Sequence, residues 1–192
     1  MTNQYKIAVL LAAYNGKNWI LEQLNSILKQ DKVNVDIFVS VDLSNDGTYN
    51  ILLDFKKKYD NIKILDYGEK FGGAAKNFYR LIKDVDFSKY NFISFSDQDD
   101  IWYPHKLYKG ISKIELKDID AYSSDVKAFW KNGKTKLIKK SYPQKKYDYL
   151  FQSAGPGATY ILRADILIKF KKFILRNWKQ VNEIDLHDWL IY

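Results

Sequence analysis

Short runs of apolar residues alternate, through the first hundred positions, with segments in which apolar residues recur every three or four positions. The runs are rich in β-prone residues and predict four buried strands, at 7–11, 35–41, 62–65 and 92–95. The recurring positions predict three helices between them, at 20–28, 48–59 and 74–82. Strands that alternate with helices predict an α/β fold, a mostly parallel central sheet flanked by helices.

The pattern after residue 104 is less regular. Pro104 begins a predicted helix, and β-prone residues predict short strands at 121–124 and 126–130. The lysine-rich stretch 134–146 is predicted to be a loop, and "SAGPGATYIL" (153–162) is a Gly/Pro loop that leads into one more strand. Apolar residues at helical spacing predict a last long helix at 166–178. Because no linker or internal repeat interrupts the chain, we expect a single domain over residues 1–192.

Three polar stretches follow predicted strands: "AAYNG", "DLSNDGT" and "SDQDD". The carboxyl ends of parallel strands meet at one edge of a sheet, and ligands of open α/β sheets bind at that edge. We therefore expect the three stretches to form one site.

The stretch "SDQDD" gathers Asp97, Asp99 and Asp100 at one strand end. Like charges this close raise one another's pKa unless a cation lies among them. In an extended segment Asp97 and Asp99 lie on one face, which suits Mg²⁺ or Mn²⁺ bound to substrate phosphates. The alternative is a solvated acidic turn that caps the next helix.

The stretch "DLSNDGT" places Asp42, Ser44 and Asp46 at spacings found in calcium-binding loops. The position that should supply a bidentate carboxylate is Leu53, so a calcium loop is rejected. Capping of the following helix by Asp46 or Thr48 explains part of the stretch but leaves Asp42 unexplained.

The composition of the chain limits the classes of ligand and partner that it can be expected to bind. The chain of 192 residues has a formal net charge of +8, no cysteine and two histidines, and 46% of its residues are hydrophobic. The positive balance favours anionic ligands, although a lysine-rich surface alone would give the same charge. The lysines are not organised around a nucleic-acid-reading motif, so we expect no nucleic-acid partner. The lack of cysteine fits a reducing cytoplasm, and the longest apolar run is far too short to cross a bilayer.

Four motifs, taken in order, resemble one known family. "LLAAYNG", "D-x-S-x-D-G-T", "FGGAAKNF" and "SDQDDIW-x-P-x-KL" are similar to successive signatures of the family 2 glycosyltransferases, which have the GT-A fold. The resemblance favours the rhamnosyltransferase-like branch that builds bacterial surface polysaccharides. It covers residues 1–110 well, as a nucleotide-sugar-binding half, and resumes more weakly in an acceptor-side half over 111–192, at "GATYILR" and "HDWL".

The resemblance implies transfer of a sugar, with inversion, from a nucleotide-diphosphate donor to a hydroxyl of a saccharide or lipid-linked saccharide. It also implies roles for single positions. Those that would bind the nucleotide are Ala13, Tyr14, Asp42, Lys76, Asn77 and Asp97. Asp99, with Asp97, would hold a divalent metal, Mn²⁺ or Mg²⁺, on the diphosphate. Asp188 in "LHDWL" occupies the position of the catalytic base, whereas without the resemblance it would be a surface carboxylate paired with a lysine.

Val41 and Leu43 depart from the family pattern, in which an aspartate and a glycine occupy these places. Because the chain ends at Tyr192, soon after Asp188, we expect a truncated catalytic domain. Two rival hypotheses remain: a nucleotide-sugar phosphohydrolase or nucleotidyltransferase that uses the same acidic site, and a non-catalytic nucleotide-sugar-binding module.

A location at the inner face of the plasma membrane is also expected, because two basic segments border apolar residues. These are the stretch 134–146 and the last long helix, whose lysines surround an apolar stripe. The alternative for that helix is that its stripe faces the protein core.

Overall fold

A computed structural model describes residues 5–192. Its strands alternate with helices as the apolar pattern predicts. The strands are β1 (Tyr5–Ala13), β2 (Val33–Val41), β3 (Ile62–Ile64), β4 (Phe92–Ser96), β5 (Ala121–Tyr122), β6 (Val126–Phe129), β7 (Thr135–Ile138) and β8 (Ile161–Arg163). The helices are α1 (Ile20–Leu28), α2 (Thr48–Lys56), α3 (Ala74–Asp84), α4 (Lys106–Lys117), α5 (Ala164–Arg176), α6 (Trp178–Val181) and α7 (His187–Ile191).

Six strands form the central sheet, in the order β3-β2-β1-β4-β8-β5. The strands β1, β2, β3 and β4 are parallel, whereas β8 runs antiparallel to both β4 and β5. The predicted mostly parallel sheet flanked by helices is confirmed. The loops that follow β1, β2 and β4 therefore share one edge of the sheet.

Both faces of the sheet are covered, and β1 shows how its residues divide between them. Ile7, Val9 and Leu11 belong to one apolar core, whereas Ala8 and Leu10 belong to the other. The first core is completed by α1, α2 and α4, and the second by α3 and α5. A strand buried on both faces is apolar at every position, which is why these strands appear in the sequence as continuous runs.

The second half differs from its prediction in three places. The strand β7 lies inside the stretch 134–146 that was predicted to be a loop, and it pairs with β6 in a two-stranded hairpin. The predicted strand 121–124 is reduced to Ala121–Tyr122, and the helix predicted at 166–178 ends at Arg176 before the short α6. In β7 the first three residues, Leu137 among them, are exposed, so the strand lacks the alternation of apolar and polar positions by which a half-buried strand is predicted.

The apolar stripe of α5 faces the protein. Leu167 and Ile174 are fully buried in the second core, where Ile166 and Phe170 pack against them. This is the core-facing alternative for that helix. Within residues 5–192, no helix combines the length and the apolar character needed to cross a bilayer.

Candidate active site

The loop after β1 is fastened by side chains from the loop after β2. The backbone N–H groups of residues 15, 16 and 17 donate hydrogen bonds to Ser44, Thr48 and Asp46, at 3.0, 2.8 and 2.9 Å. Asp46 also accepts the N–H of Thr48 at 2.9 Å, but the N-cap position of α2 is Gly47, so neither Asp46 nor Thr48 is the predicted N-cap. The polar side chains of "DLSNDGT" therefore hold two strand-end loops together.

Gln98, from the loop after β4, fastens the same segment from the other side. Its side-chain amide accepts the backbone N–H of Tyr14 and donates to the backbone oxygen of Tyr14, both at 2.8 Å. A Cβ atom added at Gly16 would collide with the amide of Gln98, so a larger residue at that position would push Gln98 away from its two hydrogen bonds to Tyr14. The sequence prediction missed Gln98, although an amide that can both donate and accept was a signal for such a role.

Asp42 is almost fully buried and accepts backbone hydrogen bonds with both carboxylate oxygens. Its Oδ1 accepts the N–H groups of Leu43 and Phe71, at 2.7 and 2.8 Å, and its Oδ2 accepts that of Gly72, at 2.9 Å. Asp42 thus holds the segment before α3 against the end of β2. A carboxylate with about four lone-pair sites retains capacity for a further donor.

The two departures from the family pattern are accommodated without backbone strain. Among residues 5–192 the non-glycine residues with positive φ are Asn15, Lys32 and Asp118, so Leu43 does not adopt the conformation that would favour glycine. Val41 is 1% exposed and packs in the first core.

These loops enclose a cavity of about 470 Å³ at the carboxyl edge of the sheet. Its lining includes six of the predicted site residues: Ala13, Tyr14, Asp42, Asn77, Asp97 and Asp99. It also includes residues that the sequence prediction did not select: Lys70, Gly72, Gly73 and Gln98. The expected meeting of three strand-end loops therefore occurs. Lys70 brings a positive charge to a cavity that otherwise carries carboxylates.

Asn77 and Lys76 differ in their placement. Asn77 is 2% exposed, and its amide nitrogen donates to the backbone oxygens of Ala13 and Ser40, at 3.2 and 3.1 Å. It thereby joins β1 and β2 below the cavity. Lys76 is half-buried on α3 and is not among the lining residues. Neighbouring helical residues point about 100° apart, so the two side chains do not face the same way.

The acidic turn is crowded with negative charge. Burial, together with the charges of Asp100, Asp99 and Asp188, raises the pKa of Asp97 to about 6, against the opposing effect of Lys106. Burial and the charge of Asp99 also raise the pKa of Asp100. None of these three aspartates forms a salt bridge with residues 5–192. A cation at this turn would relieve the crowding.

The carboxylates of the acidic turn suit a divalent cation that takes its remaining ligands from a substrate and from water. Asp97 and Asp99 both line the cavity, yet within the described part of the chain no three His, Cys, Asp or Glu side chains are placed to hold a metal by themselves. Mg²⁺ is typically bound by one or two carboxylates together with substrate phosphates and water. Two carboxylates at a cavity of this size meet that requirement.

Asp188 lies near the acidic turn without lining the cavity. Its charge contributes to the raised pKa of Asp97, and its backbone oxygen accepts a hydrogen bond from the Tyr160 hydroxyl at 3.2 Å. The neighbouring His187 stacks on Phe78, with ring centroids 4.1 Å apart. Its buried Nε2 has no hydrogen-bond partner within residues 5–192, and burial lowers the pKa of His187 to about 4.

The sheet order, with a cavity at the carboxyl ends of its parallel strands, is that of the GT-A fold, and two solved structures share it. The structure of Staphylococcus aureus TarS 1-349 in complex with UDP-GlcNAc is similar, with a TM-score of 0.59 and 22% identity over 86% of this chain and 47% of that chain. So is the mannosyltransferase PcManGT from Pyrobaculum calidifontis in complex with GDP-Man and Mn²⁺, with a TM-score of 0.63 and 15% identity over 88% of this chain and 47% of that chain. The chain belongs to the glycosyl transferase family 2, whose family model matches residues 8–175.

One relative lies in the branch that the motifs indicated. The chain is 49% identical over 183 residues to the dTDP-rhamnosyl transferase RfbG of Shigella flexneri, which covers 95% of this chain. The chain spans 63% of the length of that relative. The predicted resemblance to rhamnosyltransferases is therefore confirmed.

Proposed function

We propose that this chain transfers a sugar from a nucleoside-diphosphate donor to an acceptor hydroxyl, with inversion, in the synthesis of a bacterial surface polysaccharide. The observation that carries the proposal is one cavity enclosed by three cross-linked strand-end loops, with Asp42 and the pair Asp97 and Asp99 in its lining. The identity to a dTDP-rhamnosyl transferase supports a deoxythymidine-diphosphate sugar as the donor.

The nucleotide would lie across the ends of β1 and β2. There the backbone near Ala13, the ring of Tyr14 and the free capacity of the Asp42 carboxylate would contact the nucleoside, while Asn77 keeps the two strand ends in register. Lys70 would contact the phosphates. Lys76 would act only from the periphery of this cavity.

Asp99 and Asp97 would hold a divalent cation, Mn²⁺ or Mg²⁺, against the donor diphosphate. The ion supplies charge stabilisation for the leaving diphosphate, which removes the need for an acid on that side. The raised pKa of Asp97 supports this assignment, because the same crowding that disfavours its charged form favours binding of a cation.

Asp188 is proposed as the general base that takes the proton of the acceptor hydroxyl as it attacks the sugar. A general base must reach the proton that it abstracts, directly or through one water molecule. The proximity of Asp188 to the acidic turn supports the proposal, since its charge is felt by Asp97. His187, packed between Phe78 and Phe95, would keep α7 in place beneath it.

A product assay separates this function from its rivals. With dTDP-rhamnose, Mn²⁺ and a panel of octyl glycosides, we expect dTDP and a rhamnosylated glycoside in equal amounts. In a parallel assay with dTTP and rhamnose 1-phosphate, release of pyrophosphate would indicate a nucleotidyltransferase. With dTDP-rhamnose, formation of dTMP and rhamnose 1-phosphate would indicate a phosphohydrolase, and binding without turnover would indicate a non-catalytic module. Asp188→Asn should abolish transfer and retain dTDP binding, whereas the exposed Asp185→Asn should change neither. Normal transfer by Asp188→Asn would reject Asp188 as the base.

A cytoplasmic location at the inner face of the plasma membrane is proposed on charge and exposure. The lysines of the stretch 134–146 are exposed, and exposed Tyr147, Leu150 and Phe151 follow it directly. Basic and aromatic side chains together favour an anionic bilayer surface. In sedimentation with phosphatidylglycerol vesicles, Lys139→Glu combined with Lys140→Glu should release the protein, unlike Lys56→Glu combined with Lys58→Glu. Equal sedimentation of both variants would reject this surface.

A further inference from the structure

A second cavity, of about 320 Å³, lies on the other flank of the acidic turn. The turn divides its side chains between the two cavities: Asp97 and Asp99 line the first, whereas Asp100 lines the second. The remaining walls of the second cavity come from the segment that leads into α4, from the hairpin β6–β7 and from residues 158–159. This volume is at the lower end of the range of small-molecule sites, about 300–1,000 Å³.

Aromatic side chains form much of this wall. Trp102 is buried beneath the cavity, while Tyr103 and Phe129 line it and remain 58% and 59% exposed. Phe129 stands at the end of β6, opposite Thr135 of β7, so the hairpin carries it to the cavity. Large aromatic faces left open at a cavity provide flat apolar contact area for a ligand.

Polar groups are fixed around these aromatic faces. Asp125 accepts the backbone N–H groups of Lys140 and Ser141 with Oδ1, at 2.7 and 2.9 Å, which orients its carboxylate. Lys106 donates to the backbone oxygen of Ala158 at 2.9 Å, and its ammonium lies 3.2 Å from the centroid of the Trp102 ring. Aromatic faces with a few oriented polar groups are the usual composition of a specific small-molecule site.

The charged groups of this cavity balance one another. Asp100 and Asp125 line it together with Lys106 and Lys127. Carboxylates accept hydrogen bonds from hydroxyl groups and ammonium groups donate to them, and a wall with equal numbers of both favours neither an anion nor a cation. A neutral ligand that presents hydroxyls on its rim and C–H groups on its faces matches both kinds of wall.

Asp188 lines neither cavity but lies close to residues that border both. A Cβ atom added at Gly157 would lie 3.0 Å from the Cβ of Asp188, so α7 packs directly on residue 157. The next residue, Ala158, lines the second cavity, while the charge of Asp188 acts on Asp97 of the first. The proposed base therefore lies beside the junction that a donor and an acceptor would share.

We propose that the second cavity is the acceptor subsite, that it binds a neutral saccharide ring, and that Phe129, Tyr103 and Asp125 set its specificity. This inference rests on the proposed glycosyl transfer and adds the class and the place of the acceptor. The aromatic rings would cover one face of the sugar, and Asp125 and Asp100 would accept hydrogen bonds from its hydroxyls.

The test is saturation-transfer NMR on the protein saturated with dTDP and Mn²⁺. The probes are methyl α-L-rhamnopyranoside, methyl α-D-glucopyranoside and methyl N-acetyl-β-D-glucosaminide. We expect at least one probe to bind, with affinity about tenfold lower in Phe129→Ala and in Asp125→Asn. The matched control is Trp130→Ala, an exposed aromatic on the same hairpin that does not line the cavity. Phe129→Leu keeps apolar bulk on the hairpin and should show a smaller loss than Phe129→Ala.

Two outcomes would overturn the subsite, and a third concerns the proposed function. If dTDP binds with Mn²⁺ while no probe binds, the second cavity is not the acceptor subsite. The same holds if a probe binds with unchanged affinity to Phe129→Ala and to Asp125→Asn. If dTDP itself fails to bind the wild-type protein, the proposed function is rejected, and the acceptor subsite is rejected with it.

Discussion

His187 is a buried side chain whose energetic effect depends on pH. Its folded-state pKa is about 4, against 6.5 for an ordinary histidine. Between these values the unfolded chain binds more protons than the folded chain, so acidification lowers the free energy of unfolding. The contribution of neutral His187 to the free energy of unfolding is complete above pH 6.5. About 3 kcal/mol of this contribution is lost as the pH falls to about 4.

His187→Phe should remove this dependence, because phenylalanine keeps a ring on Phe78 and cannot titrate. Urea denaturation of both proteins at pH 7 and pH 5 measures the difference. The pKa of Asp97 is raised to about 6, so protonation of Asp97 below that pH increases the free energy of unfolding. This effect is present in both proteins and cancels in the comparison. The wild type should lose more stability on acidification than the variant. Equal losses would contradict a buried neutral His187.

Asp42 has a structural role that can be measured apart from nucleotide binding. Asp42→Asn replaces one accepting oxygen by a donor that faces a backbone N–H group. We expect the free energy of unfolding to fall by about 1–3 kcal/mol, because a buried donor loses its acceptor. Affinity for dTDP should also fall, since the segment before α3 carries part of the cavity wall. Urea denaturation and calorimetry measure the two effects.

The control for Asp42 is Asp66→Asn, a change at an exposed aspartate on the segment that follows β3. It should leave both stability and affinity unchanged. A stable Asp42→Asn protein with full affinity would show that the three backbone hydrogen bonds to this carboxylate do not hold the loop.

At the scale of elements, α7 depends on a close approach to the loop before β8. A Cβ atom at Gly157 would lie 2.8 Å from Nε2 of His187 and 3.0 Å from Cβ of Asp188. Gly157→Ala should therefore displace α7 and with it the proposed base. We expect transfer to fall at least tenfold while dTDP affinity is retained, because the first cavity is built by other elements. Unchanged transfer by Gly157→Ala would show that the position of α7 does not control the reaction.

The elements of the first half could be predicted because each apolar run is a strand buried on both faces. The second half was harder. The strand β7 is exposed at three of its four positions and therefore shows no apolar alternation, and the pairing of β8 with β4 is antiparallel, which no local pattern signals. The helix predicted at 48–59 ends at Lys56, and Tyr59 instead packs against the first core from a turn.

The candidate site, too, could be predicted from the sequence only in part. The convergence of Asp42, Asp97 and Asp99 follows from parallel topology, which brings strand ends to one edge. Lys70 and Gln98 were missed, because lining a cavity and bonding to a distant backbone depend on loop conformations that single residues do not reveal. Asp188 could be selected only through the family resemblance, since its neighbour in space, the acidic turn, is about 90 positions away in the chain.

At the scale of the whole molecule, the acidic turn separates two cavities of unlike chemistry. The first combines Lys70 with Asp97 and Asp99 and suits a diphosphate bound with a cation, whereas the second combines aromatic faces with Asp125 and suits a neutral sugar. The net charge of +8 would draw an anionic donor towards the protein, even though the turn itself is negative. The proposed divalent ion would neutralise part of the negative charge of both the donor diphosphate and the turn.

The most direct measurement is the affinity of the protein for dTDP by calorimetry, with and without Mn²⁺, in the wild type, in Asp99→Asn and in the exposed control Asp60→Asn. We expect Mn²⁺ to strengthen binding at least tenfold, about 1.4 kcal/mol, in the wild type and in Asp60→Asn, but not in Asp99→Asn. Equal affinity with and without Mn²⁺ in the wild type, or a full Mn²⁺ effect in Asp99→Asn, would contradict a cation-assisted diphosphate site at the acidic turn.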